Sequence, residues 1–90
     1  MGKPIGASIR RRSRTPHEIF GRAVTELRTR ENVSQADLAA ALGYSTFYLG
    51  RLERGQANVS CDVMAAVADY FLMSIAQLWT FAERLPKKKT

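Results

Sequence analysis

The sequence predicts an all-α fold, one compact domain of five short helices. Three observations carry that expectation. Hydroxyl residues stand ahead of five apolar stretches, at Thr15, Ser34, Ser45, Ser60 and Ser74. Within the stretches, apolar residues recur at the period of a helix face. No stretch alternates apolar and polar residues as a half-buried strand would.

The first helix begins at Thr15. This residue can act as N-cap, Pro16 suits the first helical position, and Glu18 completes a capping box. Phe20, Val24 and Leu27 form one stripe, flanked by Ile19 and Ala23, and the helix runs to about Glu31. The second helix starts at Ser34, with Asp37 near its positive end. Leu38, Ala41 and Leu42 make its short apolar face, and Gly43 supplies a left-handed stop. Ser45 caps the third helix only two residues later, so these two helices turn sharply against each other. The fourth, capped by Ser60, repeats Val63, Met64, Val67, Ala68 and Phe71 at helical spacing. Ser74 and Gln77 form a second capping box, followed by Ile75, Leu78, Trp79, Ala82 and Leu85. Pro86 ends this fifth helix.

Ninety residues suit one small domain that buries roughly 60% of its unfolded surface, a margin that oligomerisation would widen. One cysteine, Cys61, excludes a disulfide framework, and with one histidine, His17, no metal-ligand spacing exists. No metal and no cofactor is therefore expected. No apolar run nears the ~20 residues of a membrane span, and the basic N-terminus lacks the apolar region of a signal peptide. A cytoplasmic protein with no membrane partner is the expectation.

Net charge is +6, unevenly spread. Lys3, Arg10, Arg11, Arg12 and Arg14 precede the first helix with no acid among them, and Lys87, Lys88 and Lys89 close the chain. Between them, over 17–84, six arginines face eight acids. The expected organisation is a flexible basic arm over 1–14, the helical domain over 15–85 and a basic tail over 86–90. Basic arms suit nucleic acid or an anionic surface, and solvated tails without a partner are the other reading.

The stretch "TFYLGRLERG", residues 46–55, carries the functional signal. Stepped at about 100° per residue, Leu49 and Leu52 share one side, which is core. Phe47, Gly50, Arg51 and Arg54 share a sector facing away from it. Arginine bonds guanine O6 and N7 through two parallel hydrogen bonds, and a phenyl ring packs on a thymine methyl. Glycine at the centre lets a backbone come close, or is merely tolerated there at about 1 kcal/mol.

From Ser34 to Gly55 the sequence "SQADLAAALGYSTFYLGRLERG" resembles the helix-turn-helix of the Xre/Cro-type regulators, the group of phage repressors. Ser34-Gln35, Leu38-Ala39, Gly43, Ser45, Leu49 and Leu52-Glu53-Arg54-Gly55 match its pattern in order. The likeness continues through "NVSCDVMAAVADYFLMSIAQLW", and Asn58-Val59-Ser60 is similar to the controller proteins of restriction–modification systems. The resemblance covers about residues 17 to 82 and implies a lambda-repressor-like DNA-binding domain.

Position by position, the resemblance implies a role for each of these residues. Gln35 would touch a phosphate and brace the third helix. Ser45, Thr46, Phe47 and Arg51 fall at or beside base-contacting positions, and Arg54 and Asn58 near phosphates. The family often has glutamines where this chain has Thr46 and Phe47. Arg28 and Glu53 match an internal salt bridge. The family commonly has glycine at the position of Leu72, and dimerises through this region. Leu72, Ile75 and Trp79 are thus the expected dimer interface, or Trp79 closes the monomer core.

The implied function is a sequence-specific transcriptional regulator, a homodimeric repressor or autoregulator on a pseudo-palindromic operator in double-stranded DNA. An effector domain is not expected. The rival is an antitoxin-type or other protein-binding module of the same fold, and whether a toxin or polymerase is a protein partner is left open. No catalytic residue is expected, because no paired acid and base or nucleophile and base stand out.

Overall fold

Every helix in the computed structural model, which describes residues 14–86, starts on a hydroxyl side chain. The helices are α1 (Pro16–Arg30), α2 (Gln35–Leu42), α3 (Thr46–Glu53), α4 (Cys61–Tyr70) and α5 (Ile75–Arg84). Thr15, Ser34, Ser45, Ser60 and Ser74 each hold extended backbone and accept from the amide three residues on, at 3.0–3.2 Å. Such a cap satisfies an amide the helix leaves free, and removing one costs about 1 kcal/mol. Glu18 and Gln77 bond back to their cap amides, closing both capping boxes.

The first four helices stop alike. Asn32, Gly43, Gly55 and Leu72 all have positive φ, between 59° and 79°. The next residue then donates to the carbonyl five positions back: Val33 to Arg28, Tyr44 to Ala39, Gln56 to Arg51 and Met73 to Ala68, at 2.8–2.9 Å. This closed turn reverses the chain and satisfies carbonyls that the helix end would orphan. Leu72 takes this geometry although a left-handed leucine costs roughly 1–2 kcal/mol. Its side chain is 92% exposed, so the hydrogen bonds of the turn, and not side-chain packing, offset that cost.

The core gathers Phe20, Val24, Leu38, Leu49, Leu52, Val67 and Leu78, all fully buried. α1 runs across α3 and α5, α2 leans on α3 and α4, and α4 packs on α5. One expectation is corrected here. Ala41 faces solvent, while Ala39 is buried beside Leu38. A two-turn helix has too few residues for its wheel to fix the buried side, and the lean of α2 on α3 and α4 decides it. Trp79 turns toward the core: its ring lies 5.4 Å from that of Phe20, and Nε1 donates to Met64 Sδ at 3.2 Å.

Candidate DNA interface

α3 is seated on α1 almost backbone to backbone. A Cβ at Gly21 would overlap the carbonyl oxygens of Leu52 and Glu53, the latter at 2.6 Å. Real side chains do not come so close, so only glycine lets the helices meet at this crossing. Gly55 makes a second close approach, where a Cβ would stand 2.8 Å from Cα of Glu18.

Glu53 adds a polar clasp. Its side chain is 5% exposed and accepts from Arg28 Nε at 2.7 Å and Nη2 at 3.1 Å, and from Gln35 Nε2 at 2.8 Å. Arg28 Nη1 also donates to the Val33 carbonyl at 3.0 Å. One carboxylate thus joins α3 to both α1 and α2, with its charge matched by a guanidinium in a two-bonded fork. Among the described residues no buried side-chain nitrogen or oxygen lacks a partner.

The opposite side of α3 is open. Thr46 and Arg54 are exposed, Arg51 is half-buried, and Phe47 is 75% exposed, the most exposed aromatic ring among the described residues. Ser45 caps the helix and stands beside them. Asn58 is exposed, and its carbonyl accepts from the Tyr48 hydroxyl at 3.4 Å. Tyr48 in turn meets Tyr44 edge-on at 5.2 Å. Burial, with Tyr48 and Asp62 nearby, raises the Tyr44 phenol above its ordinary pKa.

Gly50 departs from expectation. It is buried, with Arg54 Nη1 and Gln35 Oε1 lying 3.4 and 3.9 Å from where a Cβ would stand. The wheel gives the direction of a residue but not the long side chain that folds over it. Gln35, half-buried, is engaged with Glu53. Two residues escaped the sequence reasoning. Gln56 holds both arginines, its carbonyl accepting from Arg51 Nη2 and its Oε1 from Arg54 Nε at 3.2 Å. Gly21 carried no local signal, since what passes over it is 31 residues away or more.

Away from α3, Leu72 and Ile75 are exposed and Trp79 is half-buried. Arg14 is the one arm arginine within the described residues, while Arg10, Arg11 and Arg12 lie outside them. Among the described residues no group of three His, Cys, Asp or Glu could hold a metal ion, and no single helix is long and apolar enough to cross a membrane.

Two short helices joined by a left-handed glycine turn, the second firmly seated and open on its far side, define the class: a helix-turn-helix protein. The helix-turn-helix domain family matches residues 19–78, and the chain belongs to it, as a member of the Xre type. Its fold is similar to that of the clp gene regulator ClgR from Corynebacterium glutamicum, with 30% identity and a TM-score of 0.74 over 80% of this chain and 77% of that one. A second ClgR structure gives 31% identity and a TM-score of 0.73, over 79% and 92%. The restriction-modification controller protein C.AhdI from Aeromonas hydrophila gives 35% identity and a TM-score of 0.64, over 69% and 94%. No curated protein sequence matches. Family and neighbours make the chain a DNA-binding transcription regulator and not an enzyme.

Proposed function

We propose that two copies of this chain bind a pseudo-palindromic operator in the cytoplasm, as a sequence-specific repressor or autoregulator. The observation that carries this reading is the outer face of α3, where an exposed phenyl ring stands among a hydroxyl and two guanidinium groups. In the major groove such a helix presents Thr46, Phe47 and Arg51 to base edges, while Ser45, Arg54, Asn58 and Gln35 lie toward the backbone. Two recognition helices about 34 Å apart reach successive grooves on one side of the duplex. Arg10, Arg11, Arg12 and Arg14 add sequence-independent attraction, each phosphate contact contributing ~0.9 to the salt slope.

Leu72 supports the dimer. It is exposed at a strained φ and borders a cavity of about 220 Å³ lined with Glu31, Val33, Tyr70 and Phe71. A knob beside a hollow on one surface suits a twofold self-contact, in which the same patch meets itself. Ile75, three residues on, is a further exposed apolar side chain at 39%.

Selection from random DNA yields the operator, and fluorescence anisotropy then compares operator with random duplex at several salt concentrations. Arg51→Ala is expected to lose about 1–3 kcal/mol on the operator and little on random DNA, with selectivity relaxed at one base pair per half-site. An equal loss on both would make Arg51 a phosphate contact. By sedimentation, Leu72→Gly is expected to shift the protein toward monomer, while an unchanged dimer places the interface elsewhere.

A further inference from the structure

Four helices of this chain end on the same left-handed turn, and one of the four returns the chain to a different task. After Asn32, Gly43 and Leu72, the next residues, Val33, Tyr44 and Met73, pack back against the core. After Gly55 the next residue is Gln56, polar and exposed. An apolar residue at that point commonly secures such a turn, so its replacement here calls for a different partner. Gln56 has two. Its backbone carbonyl accepts from Nη2 of Arg51, and its side-chain Oε1 accepts from Nε of Arg54 at 3.2 Å. Arg54 then lies along α3, its Nη1 over the bare backbone of Gly50. A floor at Gly50 and an acceptor at Gln56 together confine a side chain that would otherwise sample many rotamers.

The geometry assigns Gln56 the role of a positioning residue for the α3 arginines: its carbonyl sets Arg51 and its amide oxygen sets Arg54 before DNA arrives. This inference rests on the reading of α3 as the DNA-contacting helix. Fixing a long side chain in advance spares that ordering on binding, an effect of roughly 3- to 10-fold in affinity for one side chain. Each arginine keeps most of its five N–H donors free for phosphate or base.

The test is a double-mutant cycle with the operator, using Gln56→Met, which keeps the length and removes the acceptor. Gln56→Met is expected to lower operator affinity about 3- to 10-fold at unchanged Tm. In an Arg54→Met background the same substitution is expected to change affinity less than about 2-fold, since nothing remains to be positioned. Base selectivity due to Arg51 persists in Gln56→Met, because the backbone carbonyl stays. A loss of equal size in both backgrounds overturns the proposal, with Gln56 then touching DNA itself, and so does no loss in either. A second readout needs no DNA: by NMR, the Arg54 Nε–H signal exchanges slowly with water in the wild type and fast in Gln56→Met. Fast exchange in both overturns the proposal. Should the wild type show no preference for any selected site, the DNA reading of α3 fails instead, and the NMR arm still decides whether Gln56 holds Arg54.

Discussion

Gly21 and Gly50 both stand inside helices, where glycine costs about 1 kcal/mol against alanine. At Gly21 a methyl group would meet the carbonyls of Leu52 and Glu53, which belong to another helix and cannot move alone. At Gly50 it would meet the far end of the Arg54 side chain, at 3.4 Å, which can shift. Glycine is required at the first position and optional at the second. The same contrast divides α3 as a whole. Its inner side meets backbone and a closed ion pair, and its outer side meets long side chains and water. Glycine in a helix therefore has no fixed meaning: what lies opposite decides it.

The contrast can be broken on the inner side first. Glu53→Met leaves Arg28 without its carboxylate in a nearly closed site, which is expected to cost about 3–4 kcal/mol. Arg28→Met with Glu53→Met should recover much of that loss by thermal melting, because no unpaired charge remains. If the single substitution melts like the wild type, the clasp contributes nothing. Gly21→Ala comes next, at about 2–3 kcal/mol, as α3 is pushed off α1. Denaturant unfolding measures it, and DNA affinity should fall with it because α3 is displaced. The outer side gives the smallest effect and the opposite sign. Gly50→Ala is expected to stabilise the protein by about 1 kcal/mol or less, and an equally large loss at Gly50 would erase the distinction between the two sides.

Helix starts were legible because a hydroxyl cap acts within three residues and leaves its mark in the sequence. Helix stops were legible at Gly43 for the same reason. Leu72 is less typical, since it takes a backbone conformation its side chain disfavours, and only the structure reports that it does so. The angular sector of Phe47, Arg51 and Arg54 follows from helix periodicity alone. What covers Gly50 does not, because it depends on how Arg54 folds back. Gly21 is illegible for a deeper reason: its partners arrive from α3, and nothing in "IFGRAV" announces them. Gln56 was passed over because a polar residue after a glycine turn reads as ordinary loop. The pairing of Arg28 with Glu53, 25 residues apart, came with the family resemblance and not from local pattern.

The crossing at Gly21 also bears on how such a protein can change its target. α3 is held by main-chain atoms, by the buried side chains of Leu49 and Leu52 and by one carboxylate at its C-terminal end, and none of these belongs to its outer face. Residues 46, 47 and 51 can then be exchanged while the helix keeps its angle to the rest of the domain. On the proposed reading of α3, a change of operator would then need only a few side chains rewritten, with the core left as it is. The residues that seat the helix and the residues it displays are different ones.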